Sequence, residues 1–301
     1  MSKEKLELVE VSPRDGLQNE PDIVPTESKL ALIDRIVTAG FRRLEAGSFV
    51  NPKKVPQMAD GDAVFAGLPK RKDVTFIALA LNLRGVERAV AAGAKEINYV
   101  FCASDGFSIR NNGGTVEETF EVWPEVAAAA KSGGARLSAT VSTAFGCPFD
   151  GEVPVARVVR VAERCMAQDI FELALADTIG VGSPYDVHER FSALKSSAPP
   201  HIQLRAHFHN TRNTALANAV AAVEEGVRVL DGSLGGIGGC PFAPGAAGNV
   251  PSEDLLYMFN RMGFDTGVDL DGAIDAAQFI GGVLGRKTPG MVSRAPKWPV
   301  A

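Results

Sequence analysis

Eight short runs dense in apolar and β-branched residues punctuate the chain, at 6–11, 43–46, 74–80, 96–101, 136–142, 170–175, 202–207 and 228–233. Between them the apolar positions change period. They recur at helical spacing in, for example, KLALIDRIVTAG, GVERAVAAGA, TFEVWPEVAAAAKSGGA, PVARVVRVAERCMAQ and ALANAVAAVEEGV. Continuous apolar runs alternating with amphipathic segments are the pattern of parallel strands buried on both faces and joined by crossover helices. Eight such units predict an α/β fold, a closed (β/α)8 TIM barrel. An open doubly wound sheet is the competing arrangement, and no GxGxxG follows the first run to favour it. Gly40, Gly93, Gly134 and Gly226 end helical segments just ahead of the next strand, where a left-handed residue would turn the chain back toward the sheet.

After the eighth unit, with a helix near 252–262, a further helical stretch near 270–285 carries Leu270, Ala273, Ile274, Ala277, Phe279 and Ile280. It is expected to pack on the barrel as a C-terminal extension. No Pro/Ser-rich linker interrupts the sequence, so a single domain over 1–301 is predicted, with the barrel over about 5–262 and the extension over about 263–301.

Composition narrows the function. A 46% apolar and 22% charged chain of 301 residues has material for a sizeable core. Its net charge of −5 and scattered Lys and Arg residues exclude an electrostatic footprint for nucleic acid, leaving a small-molecule partner. Cys102, Cys147, Cys165 and Cys240 stand far apart without a CxxC, which points to a reducing compartment rather than a disulfide framework. The opening MSKEKLELVEV lacks the apolar core of a signal peptide, and no apolar run reaches the ~18 residues of a membrane span. A cytoplasmic protein with no membrane partner is expected.

In a TIM barrel the chemistry lies where the strands end. The first strand runs into SPRDGLQNE with Arg14, Asp15 and Gln18; the second ends at Glu45 and Ser48, the third near Asn82, the sixth at Asp177 and Thr178. The seventh ends in HFHN, placing two of the chain's 4 histidines, His207 and His209, at i and i+2 and hence on one strand face. With Asp15 they make a mixed nitrogen and oxygen set suited to Mg²⁺, Mn²⁺, Co²⁺ or Zn²⁺, to which Asn249 or Asn210 could add an amide oxygen. Arg14 is either the rim partner of Asp15 or the holder of a substrate carboxylate or oxyanion. Glu45 is a base, a support for the site or an ion-pair partner of Arg14; Asp177 orients Arg14 or the metal site, or caps the next helix. From Gly232 to Asn249 the chain has seven glycines, at 232, 235, 236, 238, 239, 245 and 248, a composition suited to a lid. Cys240 is the side chain there with proton-transfer or nucleophilic chemistry.

These blocks together resemble the 3-hydroxy-3-methylglutaryl-CoA lyase family of metal-dependent barrel lyases. The resemblance runs over nearly the whole chain, through VEVSPRDGLQNE, IDRIVTAGFRRLEAGSFVNPKKVPQM, ADTIGVG, HFHN and, most specifically, GSLGGIGGCPFAPGAAGNVPSEDLLYM. It implies a divalent cation, Mg²⁺ or Mn²⁺, held by Asp15, His207, His209 and Asn249. Arg14 is implied to neutralise the enolate of the leaving acetyl thioester, Glu45 and Asp177 to support the site, and Cys240 to transfer a proton. Gln18, Ser48, Asn82 and Thr178 are expected to face an acyl-CoA substrate, and a homodimer is implied. The chain departs from the family's usual residues at Asn210, Arg212, Ala174 and Gly285, positions that could touch the acyl chain or coenzyme A.

The chemistry implied is cleavage of a 3-hydroxyacyl thioester between C2 and C3. It needs removal of a hydroxyl proton and stabilisation of an enolate, tasks for a cation and a guanidinium. An iminium route would need a lysine closing a strand, and none of the eight ends on one. Three other readings are a lyase for another 3-hydroxyacyl-CoA, a synthase running the condensation, and a non-catalytic binder of metal or acyl-CoA. Retention of Asp15, His207, His209, Asn249, Arg14 and Cys240 together weighs against the binder.

Overall fold

The computed structural model describes residues 3–239 and 248–298. Eight parallel strands close into a barrel in chain order: β1 (Glu7–Glu10), β2 (Arg43–Ser48), β3 (Thr75–Ala80), β4 (Glu96–Cys102), β5 (Arg136–Ser142), β6 (Glu172–Asp177), β7 (Gln203–Phe208) and β8 (Val229–Gly232), with β8 pairing back onto β1. Each of the eight apolar runs is a strand. β2 and β6 reach two residues further than predicted, so that Asp177 is the last residue of its strand. Around the barrel lie α1 (Thr26–Thr38), α2 (Gly61–Gly67), α3 (Leu83–Ala91), α4 (Asp105–Asn111), α5 (Val116–Glu121), α6 (Trp123–Ser132), α7 (Val155–Met166), α8 (Pro184–Ser197), α9 (Ala215–Glu224), α10 (Ser252–Met262) and α11 (Leu270–Val283). Among the described residues no helix is long and apolar enough to cross a membrane.

The four helix-ending glycines have φ of 108°, 86°, 68° and 91° at Gly40, Gly93, Gly134 and Gly226, the left-handed conformation expected of them. The apolar pattern over 119–135 divides into two helices, because Pro124 has no N–H to donate and fits only the first turn of a new helix. α8 carries a sparse apolar stripe of Val187, Phe191 and Leu194. Its start is instead written in Ser183, Pro184 and Asp186, where side chain and backbone of Ser183 and Asp186 cap each other reciprocally. The C-terminal helix α11 packs on α1, burying Ala273, Ala276, Ala277 and Ile280.

The barrel interior departs from the usual filling of branched apolar side chains. Val9, Val11, Ile77 and Val229 form a small apolar cluster on one side. Elsewhere the interior is charged. At the N-terminal end of the strands Arg43 bridges Glu96 at 2.6 Å and Glu172 at 2.8 Å, with both carboxylates fully buried. Arg205 continues the network upward, 3.3 Å from Glu172. Such a network adds little stability over an apolar filling, but removing one partner strands the other in low dielectric. Arg43→Met is therefore expected to lower unfolding free energy by about 3–5 kcal/mol, read as a lower urea midpoint at unchanged slope. An unmoved midpoint would show that Arg136 on Glu96 and Arg205 on Glu172 suffice to compensate the two carboxylates.

Candidate active site

The chain leaves β1 through one turn of π-helix, Ser12–Gly16, in which the amides of Arg14, Asp15 and Gly16 all donate to the carbonyl of Val11. This tight turn sets Arg14 and Asp15 side by side over the barrel mouth. A Cβ on Gly16 would come within 2.7 Å of Ile237 and Ser233, and one on Gly238 (φ 107°) within 2.6 Å of Asn249. A Cβ on Gly238 would also lie 2.9 Å from Asp15 O and 3.0 Å from Gly16 Cα, so the segment after β8 packs against the backbone of the turn, an approach that only glycine allows.

Asp15 is the hub. Its Oδ1 accepts from Arg14 Nη1 at 2.5 Å and from Gln18 Nε2 at 2.7 Å, and its Oδ2 accepts from Asn249 Nδ2 at 2.7 Å. Asn249 is brought there because Asn210 N donates to Gly248 O and Val250 N to Phe208 O, splicing residues 248–250 onto the end of β7. The two-residue period of β7 turns both His207 and His209 toward Asp15, with ring centroids 5.1 Å apart. One ligand atom from each of Asp15, His207 and His209 lies within 4.8 Å of the others. Arg14 also donates from Nε to Glu45 Oε2 at 2.6 Å, and Asn98 Nδ2 donates to Glu45 Oε1 at 2.9 Å.

Three observations fit this cluster to a divalent cation. Asn249 Oδ1 and His209 Nδ1 are buried without a hydrogen-bond partner among the described residues. The donors are the imidazoles and carboxylate that such ions take. The third is charge: at the mouth two guanidinium groups, Arg14 and Arg205, face three carboxylates, Asp15, Glu45 and Asp231, leaving one net negative formal charge when both imidazoles are neutral.

The protonation states follow from the same contacts. Burial would raise the Asp15 carboxyl, but Arg14, the two imidazoles and the Asn249 bond outweigh it and bring its pKa to about 2. Burial, reinforced by His207, lowers His209 to about 4, so this imidazole is neutral at pH 7. For His207 burial is overcome by the charge and hydrogen bond of Asp231, which raise its pKa. Glu45 is held below the usual carboxylate range, burial being outweighed by Arg14 and Arg205. It is an ionised brace for Arg14.

The remaining predicted residues divide. Arg14, Asp15, Gln18, Glu45, Asn82, Thr178, His207 and His209 all line one cavity of about 820 Å³. Asn82 also caps α3 through Gly85 N, and Thr178 Oγ1 accepts from Thr143 N. Ser48 is buried and does not line that cavity. Asp177 is fully buried and accepts from Val181 N at 2.9 Å and Gly182 N at 3.0 Å, so it ties down the loop ahead of α8 and does not cap that helix, whose N-cap is Ser183. Burial raises its pKa. Of the two amides considered, Asn249 reaches Asp15 while Asn210 Oδ1 accepts from Ala215 N at the start of α9. Arg212 holds the carbonyls of Ile179 and Gly180 and is not part of the cavity wall. Cys240, with residues 240–247 of the predicted lid, lies outside the described residues. Sequence reasoning missed Asp231, Arg205 and Asn98. Each is a polar residue within an apolar strand, and Arg205 shares the parity of His207.

A closed eight-stranded barrel with a cation-ready cluster at the C-terminal ends of β1 and β7 defines the class, a metal-dependent TIM-barrel enzyme. The HMGL-like family model matches residues 5–280, and the chain belongs to that family. It is 43% identical to the mitochondrial hydroxymethylglutaryl-CoA lyase of Macaca fascicularis, over 97% of this chain and 89% of that one. It is also 43% identical to the 3-hydroxy-3-isohexenylglutaryl-CoA/hydroxy-methylglutaryl-CoA lyase of Pseudomonas aeruginosa, over 97% of both. Among solved structures, an HMG-CoA lyase from A. baumannii in complex with coenzyme A and 3-methylmalate superposes with a TM-score of 0.94 at 42% identity, covering 98% of this chain and 96% of that one.

Proposed function

We propose that the protein is a divalent-metal-dependent carbon–carbon lyase that cleaves 3-hydroxy-3-methylglutaryl-CoA to acetyl-CoA and acetoacetate. The observation that carries this reading is the convergence of Asp15, His207 and His209 beside Arg14, in a chain similar over nearly its full length to lyases of that name. Asp15, His207, His209 and Asn249 would hold Mg²⁺ or Mn²⁺, which when bound supplies Lewis acidity to the substrate's oxygens.

The chain's own residues do the rest. Arg14, fixed by Asp15 on one side and Glu45 on the other, presents its guanidinium to the cavity as a preorganised positive charge for the thioester oxygen as C2 becomes an enolate. Because Asp15 and Glu45 remain ionised, Arg14 stays oriented through the reaction. The hydroxyl proton must leave as the C2–C3 bond breaks, and C2 of the enolate must take one up; Cys240 is the group proposed for the second task. Gln18, Asn82 and Thr178 border the same cavity and are proposed to touch the acyl-CoA. A cytoplasmic homodimer is the proposed form.

A second reading, a lyase for a 3-hydroxyacyl-CoA with a larger apolar C3 substituent, is favoured by the wall of Leu79, Leu81, Val100 and Phe107 and by the P. aeruginosa relative's name. The test is release of acetoacetate from hydroxymethylglutaryl-CoA by purified protein, with Mg²⁺ or Mn²⁺ and again after chelation. Metal-dependent release is expected. Turnover only of esters bearing longer C3 chains would move the assignment to the second reading, and no cleavage of any such ester by metal-loaded protein would overturn both.

A further inference from the structure

Arg205 lies in the middle of the barrel, 1% exposed, and faces three carboxylates. Its Nε is 3.3 Å from Glu172 Oε1 and 3.6 Å from Asp231 Oδ2, and its Nη2 is 3.8 Å from Glu45 Oε1. Two of these carboxylates divide their oxygens in the same way. Asp231 turns Oδ2 toward Arg205 and gives Oδ1 to His207 Nδ1 at 2.6 Å; Glu45 turns Oε1 toward Arg205 and gives Oε2 to Arg14 Nε at 2.6 Å. One buried guanidinium therefore stands behind both groups on which the reaction depends.

An ionised aspartate only accepts hydrogen bonds, so the contact with Asp231 requires a proton on His207 Nδ1. The lone pair of the neutral ring is then on Nε2, the nitrogen that the bond to Asp231 leaves free to take a ligand. Such a carboxylate behind a ligand imidazole fixes both its tautomer and its rotation. Asp231 is 4% exposed on β8, and its other oxygen faces Arg205 Nε across 3.6 Å, a charge contact longer than a hydrogen bond.

We propose that Asp231 and Arg205 are positioning residues: Asp231 aims Nε2 of His207 at the cation site, and Arg205, by holding Asp231 and Glu45 together, makes the aim of His207 and of Arg14 interdependent. This rests on the assignment of His207 as a cation ligand. Both residues also border the cavity of about 820 Å³, so Mn²⁺ affinity measured without substrate is the readout that separates positioning from substrate contact. Asn at 231 keeps the volume but can offer either an oxygen or an NH₂ to the ring, so the tautomer is no longer dictated.

The experiment is a Mn²⁺ titration without substrate, following free Mn²⁺ by electron paramagnetic resonance, on the wild type, Asp231→Asn, Arg205→Lys, Arg205→Gln and His207→Ala. Asp231→Asn is expected to bind Mn²⁺ about 10- to 100-fold more weakly, with kcat reduced and KM for the acyl-CoA little changed. Arg205→Gln is expected to weaken Mn²⁺ binding and also to lower kcat at saturating Mn²⁺, as Arg14 loses its aim; Arg205→Lys restores part of both. Wild-type affinity in Asp231→Asn, with affinity lost in His207→Ala, overturns the positioning role alone. Wild-type affinity in both overturns the ligand assignment beneath it. Should Asp231→Asn not fold, ¹⁵N-histidine spectra of the wild type with Mg²⁺ decide: a His207 proton on Nε2 overturns the proposal.

Discussion

His207→Ala is expected to lose bound Mn²⁺ and carbon–carbon cleavage together. The ring is one of three ligand donors within 4.8 Å of one another, and alanine offers nothing in its place. The loss of affinity should exceed the roughly 10- to 100-fold associated with groups that only support a ligand. The fold should survive. His207 lines the cavity and fills no apolar core, and Asp231, which it leaves behind, keeps Arg205 as a partner. Equilibrium dialysis against Mn²⁺ and a coupled acetoacetate assay on the same preparation check both halves. Full activity with one Mn²⁺ per chain would refute the role assigned to this histidine.

Arg14→Lys is the second large effect, and it separates charge from shape. Arg14 uses three nitrogens at once: Nη1 on Asp15, and Nε and Nη2 on Glu45. Lysine carries the same charge at a single point and cannot keep both carboxylates as neighbours in that geometry. Its ammonium would settle on one of them, away from the developing negative charge. Turnover is expected to fall by about 10²–10³, the scale of losing one aimed donor to an oxyanion. KM and the unfolding midpoint should stay near those of the wild type, because the interaction matters mainly in the transition state. Wild-type turnover would mean that Arg14 serves only to hold Asp15 and Glu45.

The barrel was readable because parallel strands buried on both faces are written as unbroken apolar runs, and the glycines ahead of them mark each reversal. The same double burial hid much of the site. Where both faces of a strand are covered, no alternation of polar and apolar residues tells which parity points inward. The HxH pair at 207 and 209 broke that degeneracy for β7, and carrying its parity back one step would have put Arg205 inside as well. No comparable pair marks β4 or β8, so Asn98 and Asp231 stayed hidden among apolar neighbours. Asn249 was found as a residue type in a glycine-rich segment. What brings it to Asp15, 234 positions earlier, is the splice of residues 248–250 onto the end of β7, which no local pattern encodes. The anchoring of a loop by Asp177 and the use of Arg212 to hold the carbonyls of Ile179 and Gly180 are likewise tertiary facts.

The π-helical turn after β1 has a kinematic consequence. Arg14 and Asp15 are consecutive residues of one five-residue turn in which their amides and that of Gly16 share the carbonyl of Val11, so their backbone moves as one body. Segments around the mouth can move to admit a large thioester or release its halves without altering the spacing of this pair. The backbone positions of residues 14 and 15 advance or retreat in step, and the bond from Arg14 Nη1 to Asp15 Oδ1 keeps the anion-seeking and cation-seeking ends of the site side by side.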